Sequence, residues 1–99
     1  MKYLNIENGK IKSWVTPKNY YDAMEFAEEV KKVCRNQSSR IGETLVCKLL
    51  IIARLEMYKH QDGTRFYLVY NIHGDIVKIE ARNTFDYTGK WKKIYQRGV

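Results

Sequence analysis

Two histidine–aspartate pairs are the first side chains whose types and spacing could support chemistry. His60 precedes Asp62 by two residues, and His73 precedes Asp75 by the same spacing. Imidazole and carboxylate together serve as metal ligands or as general acid–base pairs. Both pairs also lie beside glycine, and Asp with Gly is typical of exposed turn tips. We therefore expect turns at both histidines, and neither a metal site nor a catalytic residue.

Two cysteines and one glycine-containing dipeptide are the remaining chemical candidates. Cys34 and Cys47 are thirteen positions apart and form no CxxC motif. Both fall on apolar faces of predicted elements, whereas reactive thiolates require exposed, cationic surroundings. Asn8-Gly9-Lys10 is a hairpin turn and not a phosphate-binding loop. The sequence therefore predicts buried thiols, no cofactor and no enzyme.

The chain shows no targeting or membrane signal. Its first residues lack the apolar core of a secretory signal, which leads us to expect a cytoplasmic protein. The longest apolar run covers residues 49–53, far short of the ~20 residues that cross a bilayer. We therefore expect no membrane partner.

Net charge is the most distinctive bulk property. The 99 residues are 44% hydrophobic and carry a formal charge of +7. This length predicts a single domain over residues 1–99. Residues 1–18 and 84–99 each carry +3. A charge of this size and distribution bears on partners rather than on the fold.

A β-hairpin over residues 2–15 is the first element that would position these charges. Asn8-Gly9 favours a two-residue type I′ turn, and alternation along the strands then separates two faces. The predicted core side holds Leu4, Ile6, Ile11 and Val15. The predicted basic, aromatic side holds Tyr3, Asn5, Glu7, Lys10, Lys12 and Trp14.

An amphipathic helix over residues 17–35 is predicted next. Thr16-Pro17 is typical of a helix start, with threonine as the N-cap and proline in the first turn. Acidic residues precede basic ones, as the helix dipole favours. The apolar residues at helical spacing are Ala23, Phe26, Ala27, Val30, Val33 and Cys34.

Residues 41–59 fit either a helix or a strand. Seven alternations of apolar and mostly polar residues favour one long strand. Val46, Leu50 and Ile52 then have no predicted cover. A second layer, a helical segment over residues 41–52 or a homodimer would each cover them, and these alternatives stay open.

Two further hairpin turns are predicted, at Asp62-Gly63 and His73-Gly74. If both turns are two-residue loops, the three strands that they join pair so that their apolar residues share one face. Residues 90–96 are predicted to form a final strand. The predicted apolar face holds Leu55, Met57, Phe66, Leu68, Tyr70, Val77, Ile79 and Ala81. The reverse face of the last two strands holds Arg65, Tyr67, Val69, Lys78, Glu80 and Arg82.

The elements together predict an α+β fold. An antiparallel β-meander runs from about residue 45 to residue 83, and the helix packs on its apolar face. The N-terminal β-hairpin either extends that sheet or packs at its edge.

Cationic and aromatic side chains are interleaved at both ends of the chain. Cations neutralise phosphates and aromatic rings stack on bases, which is typical of proteins that bind RNA or single-stranded DNA. The same residues also fit a soluble sheet surface and a partly buried core. The candidate residues for binding nucleic acid or an acidic protein surface are Lys10, Lys12, Trp14, Arg65, Tyr67, Arg82, Lys90, Trp91, Lys92, Lys93 and Arg97.

Binding to a protein is the alternative function. Tyr and Trp anchors surrounded by Lys and Arg also suit an acidic or nucleic-acid-mimicking protein surface. A short, basic chain rich in Lys, Asn, Ile and Tyr resembles the small accessory proteins of bacteriophages and mobile elements. That resemblance lies in composition alone, and it implies a protein that binds and inhibits a host or defence protein rather than a catalyst.

Overall fold

The chain folds as a hairpin and a helix beside a five-stranded antiparallel sheet, in a computed structural model that describes residues 1–41, 52–82 and 91–97. The sheet is a meander with the strand order β3-β4-β5-β6-β7. The elements in chain order are β1 (Leu4–Glu7), β2 (Lys10–Trp14), α1 (Tyr20–Val33), β3 (Arg35–Ile41), β4 (Ile52–Lys59), β5 (Arg65–Asn71), β6 (Ile76–Arg82) and β7 (Lys92–Gln96). The predicted α+β fold is confirmed.

The N-terminal hairpin forms at the predicted turn. Asn8 and Gly9 have φ angles of 52° and 74°, as a type I′ turn requires. The register shifts between Asn5 and Ile6, so that one residue of β2 is left over. That bulge places Leu4 opposite Trp14 and turns the indole toward the core side of the hairpin.

Three side chains of the hairpin therefore lie where the sequence did not predict them. Tyr3 is buried and Trp14 is half-buried against the core, although both were expected on the basic, aromatic side. Val15 was expected in the core and is 57% exposed. For Trp14 and Val15 the prediction failed because it assumed strict alternation, which the bulge in β2 reverses for the positions beyond it. Tyr3 precedes β1, and its ring packs against Phe26 of the helix.

Helix α1 begins three residues later than predicted. Asn19 is the N-cap, and its side-chain oxygen accepts a hydrogen bond from the backbone N–H of Asp22 at 2.9 Å. Pro17 precedes the helix and is buried. The helix ends at Val33, because the chain is extended from Cys34 and enters β3 at Arg35. The predicted apolar stripe is confirmed, since its first four members are buried.

Hairpin and helix together cover one face of the sheet. A chain of edge-to-face aromatic contacts runs from Tyr3 to Phe26 (6.0 Å), from Phe26 to Phe66 (6.1 Å) and from Phe66 to Trp14 (6.2 Å). The carboxylate of Glu29 accepts a hydrogen bond from the backbone N–H of Tyr3 at 3.0 Å. The hairpin is therefore a separate two-stranded sheet that packs over the larger one without extending it.

The turn between β4 and β5 is one residue longer than predicted. The backbone N–H of His60 donates to the carbonyl of Thr64 at 2.8 Å, which closes a three-residue loop. Gly63 takes the positive φ angle, 97°, that such a loop requires.

This longer turn reverses the predicted faces of β4. Met57 lies opposite Tyr67 instead of Leu68, and Leu55 lies opposite Val69. Leu55 and Met57 were predicted on the apolar face, and they lie on the opposite one. A shift of one residue in register moves a whole strand's side chains to the other side of a sheet.

Between β5 and β6 the predicted register is mostly confirmed. Leu68 lies opposite Ile79, as the sequence predicted. Tyr70 lies opposite Ile76 instead of Val77, because the register shifts near the turn. That shift restores the predicted pairing along the rest of both strands.

The remaining strand predictions fall partly outside the described residues. The strand expected over residues 41–59 is confirmed from Ile52 onward, but residue 41 belongs to β3, a different strand. Residues 42–51, including Val46, Leu50 and Cys47, lie outside the description, as does the side chain of Ile52. Strand β7 confirms the final strand between Lys92 and Gln96.

In the described part of the chain, no helix has the length and apolar character needed to cross a bilayer.

Candidate nucleic-acid interface

The second face of the five-stranded sheet carries no other described element, since hairpin and helix both pack on the first. We call this second face the open face. Residues directly opposite each other in neighbouring strands point to the same side, so the register assigns its members. They are Arg35, Ser38, Arg40, Leu55, Met57, Lys59, Arg65, Tyr67, Val69, Lys78, Glu80, Arg82, Lys93 and Gln96, with Trp91 packed beside them.

Four cations are direct neighbours across this face within the described strands. Arg35 pairs with Lys59, Lys59 pairs with Arg65, and Arg65 pairs with Arg82. We call these four residues the cation row. Adjacent strands are about 4.8 Å apart, and like charges directly opposite each other are destabilising. Repulsion within the row therefore opposes folding, and an anion placed over it would relieve that repulsion.

Two aromatic side chains lie next to the cation row. The rings of Tyr67 and Trp91 meet edge to face with their centres 4.3 Å apart. The guanidinium of Arg82 lies 6.0 Å from the centre of the Trp91 ring. Both rings are half-buried, so each keeps some accessible surface. Base stacking and phosphate neutralisation are therefore available side by side.

Acidic groups are sparse on the open face. Glu80 is its only acid among the described residues, and its carboxylate forms a salt bridge with Lys78 at 3.0 Å. Within the same described part of the chain, the four members of the cation row have no salt-bridge partner. The open face is thus strongly cationic.

The open face combines predicted binding residues with some that the sequence analysis missed. The predicted residues that it brings together are Arg65, Tyr67, Arg82, Trp91 and Lys93. The cations that were not among the candidate residues are Arg35, Arg40, Lys59 and Lys78, although Lys78 was predicted on this face. Arg35 was assigned to the helix, and the two-residue turn put Lys59 on the wrong face. If a three-residue loop is assumed at Asp62-Gly63, the sequence predicts that Lys59 lies opposite Arg65.

The predicted residues of the N-terminal hairpin lie in the opposite layer. Lys10 and Lys12 are exposed on the outer side of β2, and Trp14 packs against Phe66. The hairpin covers the face that α1 also covers. Its cations and those of the open face therefore form two separate surfaces.

The predicted residues of the C-terminal segment are divided as well. Lys92 lies opposite Ala81 and points away from the open face. Arg97 contacts Asp75 at 3.5 Å, and its guanidinium lies 5.0 Å from the Tyr20 ring centre. Arg97 thus helps to attach the end of the sheet to the start of the helix. Lys90 lies outside the described residues.

A cavity of about 380 Å³ opens at one end of the cation row. It lies where the end of α1, the start of β3 and the turn between β4 and β5 meet. The residues that line this end pocket are Val33, Arg35, Gln37, Lys59, His60 and Gln61.

His60 is not at an exposed turn tip, as the sequence predicted. It is only 4% exposed, and its Nδ1 lies 2.9 Å from Oδ1 of Asp62. The tip of the N-terminal hairpin covers this turn, because the backbone N–H of Ile11 donates to Asp62 Oδ2 at 2.8 Å. His73 is exposed, as expected.

The remaining candidates for chemistry are the Cys34 thiol and a cluster of metal-binding side chains. Burial, with a smaller contribution from Asp62, raises the pKa of the half-buried Cys34 thiol to about 12. A thiol with this pKa is almost entirely protonated at neutral pH, which makes it a poor nucleophile. In the described part of the chain, no three His, Cys, Asp or Glu side chains converge on a metal position.

No protein-family model, curated protein or solved structure matches the chain.

Proposed function

We propose that this protein is a small, non-enzymatic module that binds single-stranded nucleic acid, RNA or DNA, through the open face. The observation that carries the proposal is the cation row, in which four like charges are direct neighbours on adjacent strands. Their repulsion destabilises the free protein. A polyanion laid across the strands would remove that repulsion. A cytoplasmic location belongs to the same proposal.

The aromatic pair supports a single strand over a duplex. Unpaired bases expose faces that stack on aromatic side chains, whereas the bases of a duplex are stacked on each other. Tyr67 and Trp91 lie within reach of the cation row, and Arg82 contacts the Trp91 ring. A strand could therefore place phosphates over the row and bases against the rings.

Charge density favours nucleic acid over protein as the partner. The cores of protein–protein interfaces are depleted of charged residues, whereas protein–nucleic acid interfaces are strongly cationic. The described open face holds seven Lys and Arg positions against a single acidic residue. This composition matches the second kind of interface.

Titration of labelled single-stranded RNA, single-stranded DNA and duplex probes tests the proposal. We expect both single strands to bind more tightly than the duplex, with affinity falling steeply as salt rises. In a Trp14→Phe background, Trp91 is the remaining tryptophan, and base stacking should quench its fluorescence. Absence of binding to every probe at low salt would contradict the proposal.

Binding to an acidic protein is the second candidate, because one observation favours it. Tyr, Trp and Arg are the residues that most often dominate protein-binding energy, and Tyr67, Trp91 and Arg82 form one cluster. Such a partner could be a host or defence protein that the chain inhibits. Pull-down from a lysate with and without nuclease separates the candidates. A stoichiometric protein that is retained after nuclease treatment favours the second, and loss of the captured material favours the first.

A further inference from the structure

The end pocket continues the open face at one corner of the sheet. Arg35 and Lys59 belong both to the cation row and to the lining of the pocket. Its volume of about 380 Å³ falls within the range of about 300–1,000 Å³ that small-ligand pockets span. A strand that follows the row in this direction therefore reaches a concave, half-enclosed site.

The lining of the end pocket suits an anion. Arg35 and Lys59 supply two positive charges, and Gln37 supplies a carboxamide donor. The Gln61 Nε2 group already donates one hydrogen bond to the carbonyl of Gly9 at 3.3 Å and has one N–H left. Charge-assisted hydrogen bonds from such groups to phosphate oxygens are about twice as strong as neutral ones. The pocket has the charge and the donors for a phosphate group with several free oxygens.

The carboxylate of Asp62, close to the pocket in sequence, is held by other groups. Asp62 follows two lining residues, and its carboxylate accepts from the backbone N–H groups of Ile11 (2.8 Å) and Thr64 (2.9 Å). His60 Nδ1 lies 2.9 Å from the same carboxylate. Burial alone would raise the pKa of Asp62, but these hydrogen bonds outweigh it and lower the pKa. Asp62 is therefore ionised at neutral pH, but its carboxylate is engaged by these donors and does not line the pocket.

We propose that the end pocket binds the terminal phosphate monoester of a strand lying on the open face. This inference rests on the function proposed above and adds a preference for a phosphorylated chain end. A monoester carries a charge of about −1.5 to −2 at neutral pH and three terminal oxygens. An internal phosphodiester carries a single charge and must let the chain continue in both directions, which a half-enclosed pocket hinders.

Three oligonucleotides of identical sequence test the preference: one 5′-phosphorylated, one 3′-phosphorylated and one without a terminal phosphate. We expect one phosphorylated form to bind roughly tenfold more tightly than the unphosphorylated strand. The form that gains affinity identifies which end of the strand enters the pocket. An equal gain from both ends, which added charge alone would produce, overturns the inference.

The Gln37→Glu variant tests whether the end pocket causes the preference for a phosphorylated strand end. Gln37 is exposed on β3, so the substitution places a negative charge in the lining without disturbing the core. We expect this variant to lose the tenfold preference while still binding the unphosphorylated strand. Asn5→Asp is the matched control, because it makes the same change from amide to carboxylate at an exposed position of β1, in the layer opposite the open face. The control should keep the preference.

The outcomes separate failure of the inference from failure of the proposed function. Equal binding of all three oligonucleotides overturns the terminal-phosphate site and leaves the open face as a binding surface. A preference that survives Gln37→Glu also overturns the pocket assignment. Absence of binding to all three overturns the proposed function and the inference with it. Thermal melts of both variants confirm that each is folded before binding is compared.

Discussion

Lys59 lies between two other cations. Its charge at this position destabilises the folded protein, although the proposed function requires that charge. It is directly opposite Arg35 on one side and Arg65 on the other. Each such pair of like charges costs roughly 0.2–1 kcal/mol. Local rules of sheet stability are most often broken at functional sites, where a ligand supplies the missing partner.

Lys59→Gln should therefore stabilise the free protein and weaken its binding. We expect the free energy of unfolding to rise by about 0.4–2 kcal/mol, because two repulsive contacts of about 0.2–1 kcal/mol each are removed. The slope of log affinity against log salt should become shallower by about 0.7, the contribution of one phosphate contact on a single strand. Urea denaturation and oligonucleotide titration measure the two effects. A variant that is both less stable and equally tight in binding would contradict the role of the row.

Asp62 is the second residue with a testable role, since it joins the hairpin tip to the turn between β4 and β5. Its hydrogen bonds hold its pKa below the ordinary value, despite the opposing effect of burial. The carboxylate therefore contributes stability at neutral pH, and that contribution is lost as the pH falls from about 4 through the folded-state pKa. Asp62→Asn should lower the free energy of unfolding by about 1–2 kcal/mol at pH 7.

Denaturation at neutral and acidic pH checks the Asp62 prediction. The difference in unfolding free energy between parent and Asp62→Asn should shrink as the pH falls below about 4. A difference that is constant across this range would show that the carboxylate charge is not what stabilises the turn.

Among the elements, the turns decide which residues share a face. The periodicity of α1 predicts its buried stripe, because Ala23, Phe26 and Ala27 keep helical spacing whatever surrounds them. The N-cap is less predictable, since Thr16-Pro17 and Asn19 both carry capping signals; the helix uses Asn19, and Pro17 is buried ahead of it. Tertiary contacts of this kind are not visible in a local pattern.

Prediction of the candidate site depended in the same way on the length of the loop between β4 and β5. Asp62-Gly63 fits a two-residue and a three-residue hairpin loop equally well, and the two differ by one step of register. The longer loop brings Lys59 beside Arg65 and so completes the cation row. The reverse face of β5 and β6 was predictable, because Tyr67 lies opposite Glu80 in the register that the sequence favours.

Gly63 should be the residue on which this loop depends. Its φ angle of 97° is one that residues with a Cβ atom rarely adopt. Gly63→Ala should lower the free energy of unfolding by about 1 kcal/mol, and Gly63→Asn should cost less, because asparagine tolerates positive φ better than alanine. Chemical denaturation of both variants tests this order. Equal costs would indicate that the loop does not hold Gly63 in this conformation.

For the whole molecule, the fold divides the cations between two layers. Lys10 and Lys12 lie on the outer side of the hairpin, which covers one face of the sheet. The cation row lies on the other face, beside Tyr67 and Trp91. The two charged ends of the chain therefore do not build one shared patch from the hairpin and the open face. Binding should depend on one layer and be nearly indifferent to the other.

The most direct test compares two double variants that remove the same charge from the two layers. Lys59→Gln with Arg82→Gln should make the slope of log affinity against log salt for a single strand shallower by about 1.4. Lys10→Gln with Lys12→Gln should leave that slope nearly unchanged. If both pairs weaken binding equally, or if the hairpin pair has the larger effect, net charge rather than the open face determines binding, and the account is contradicted.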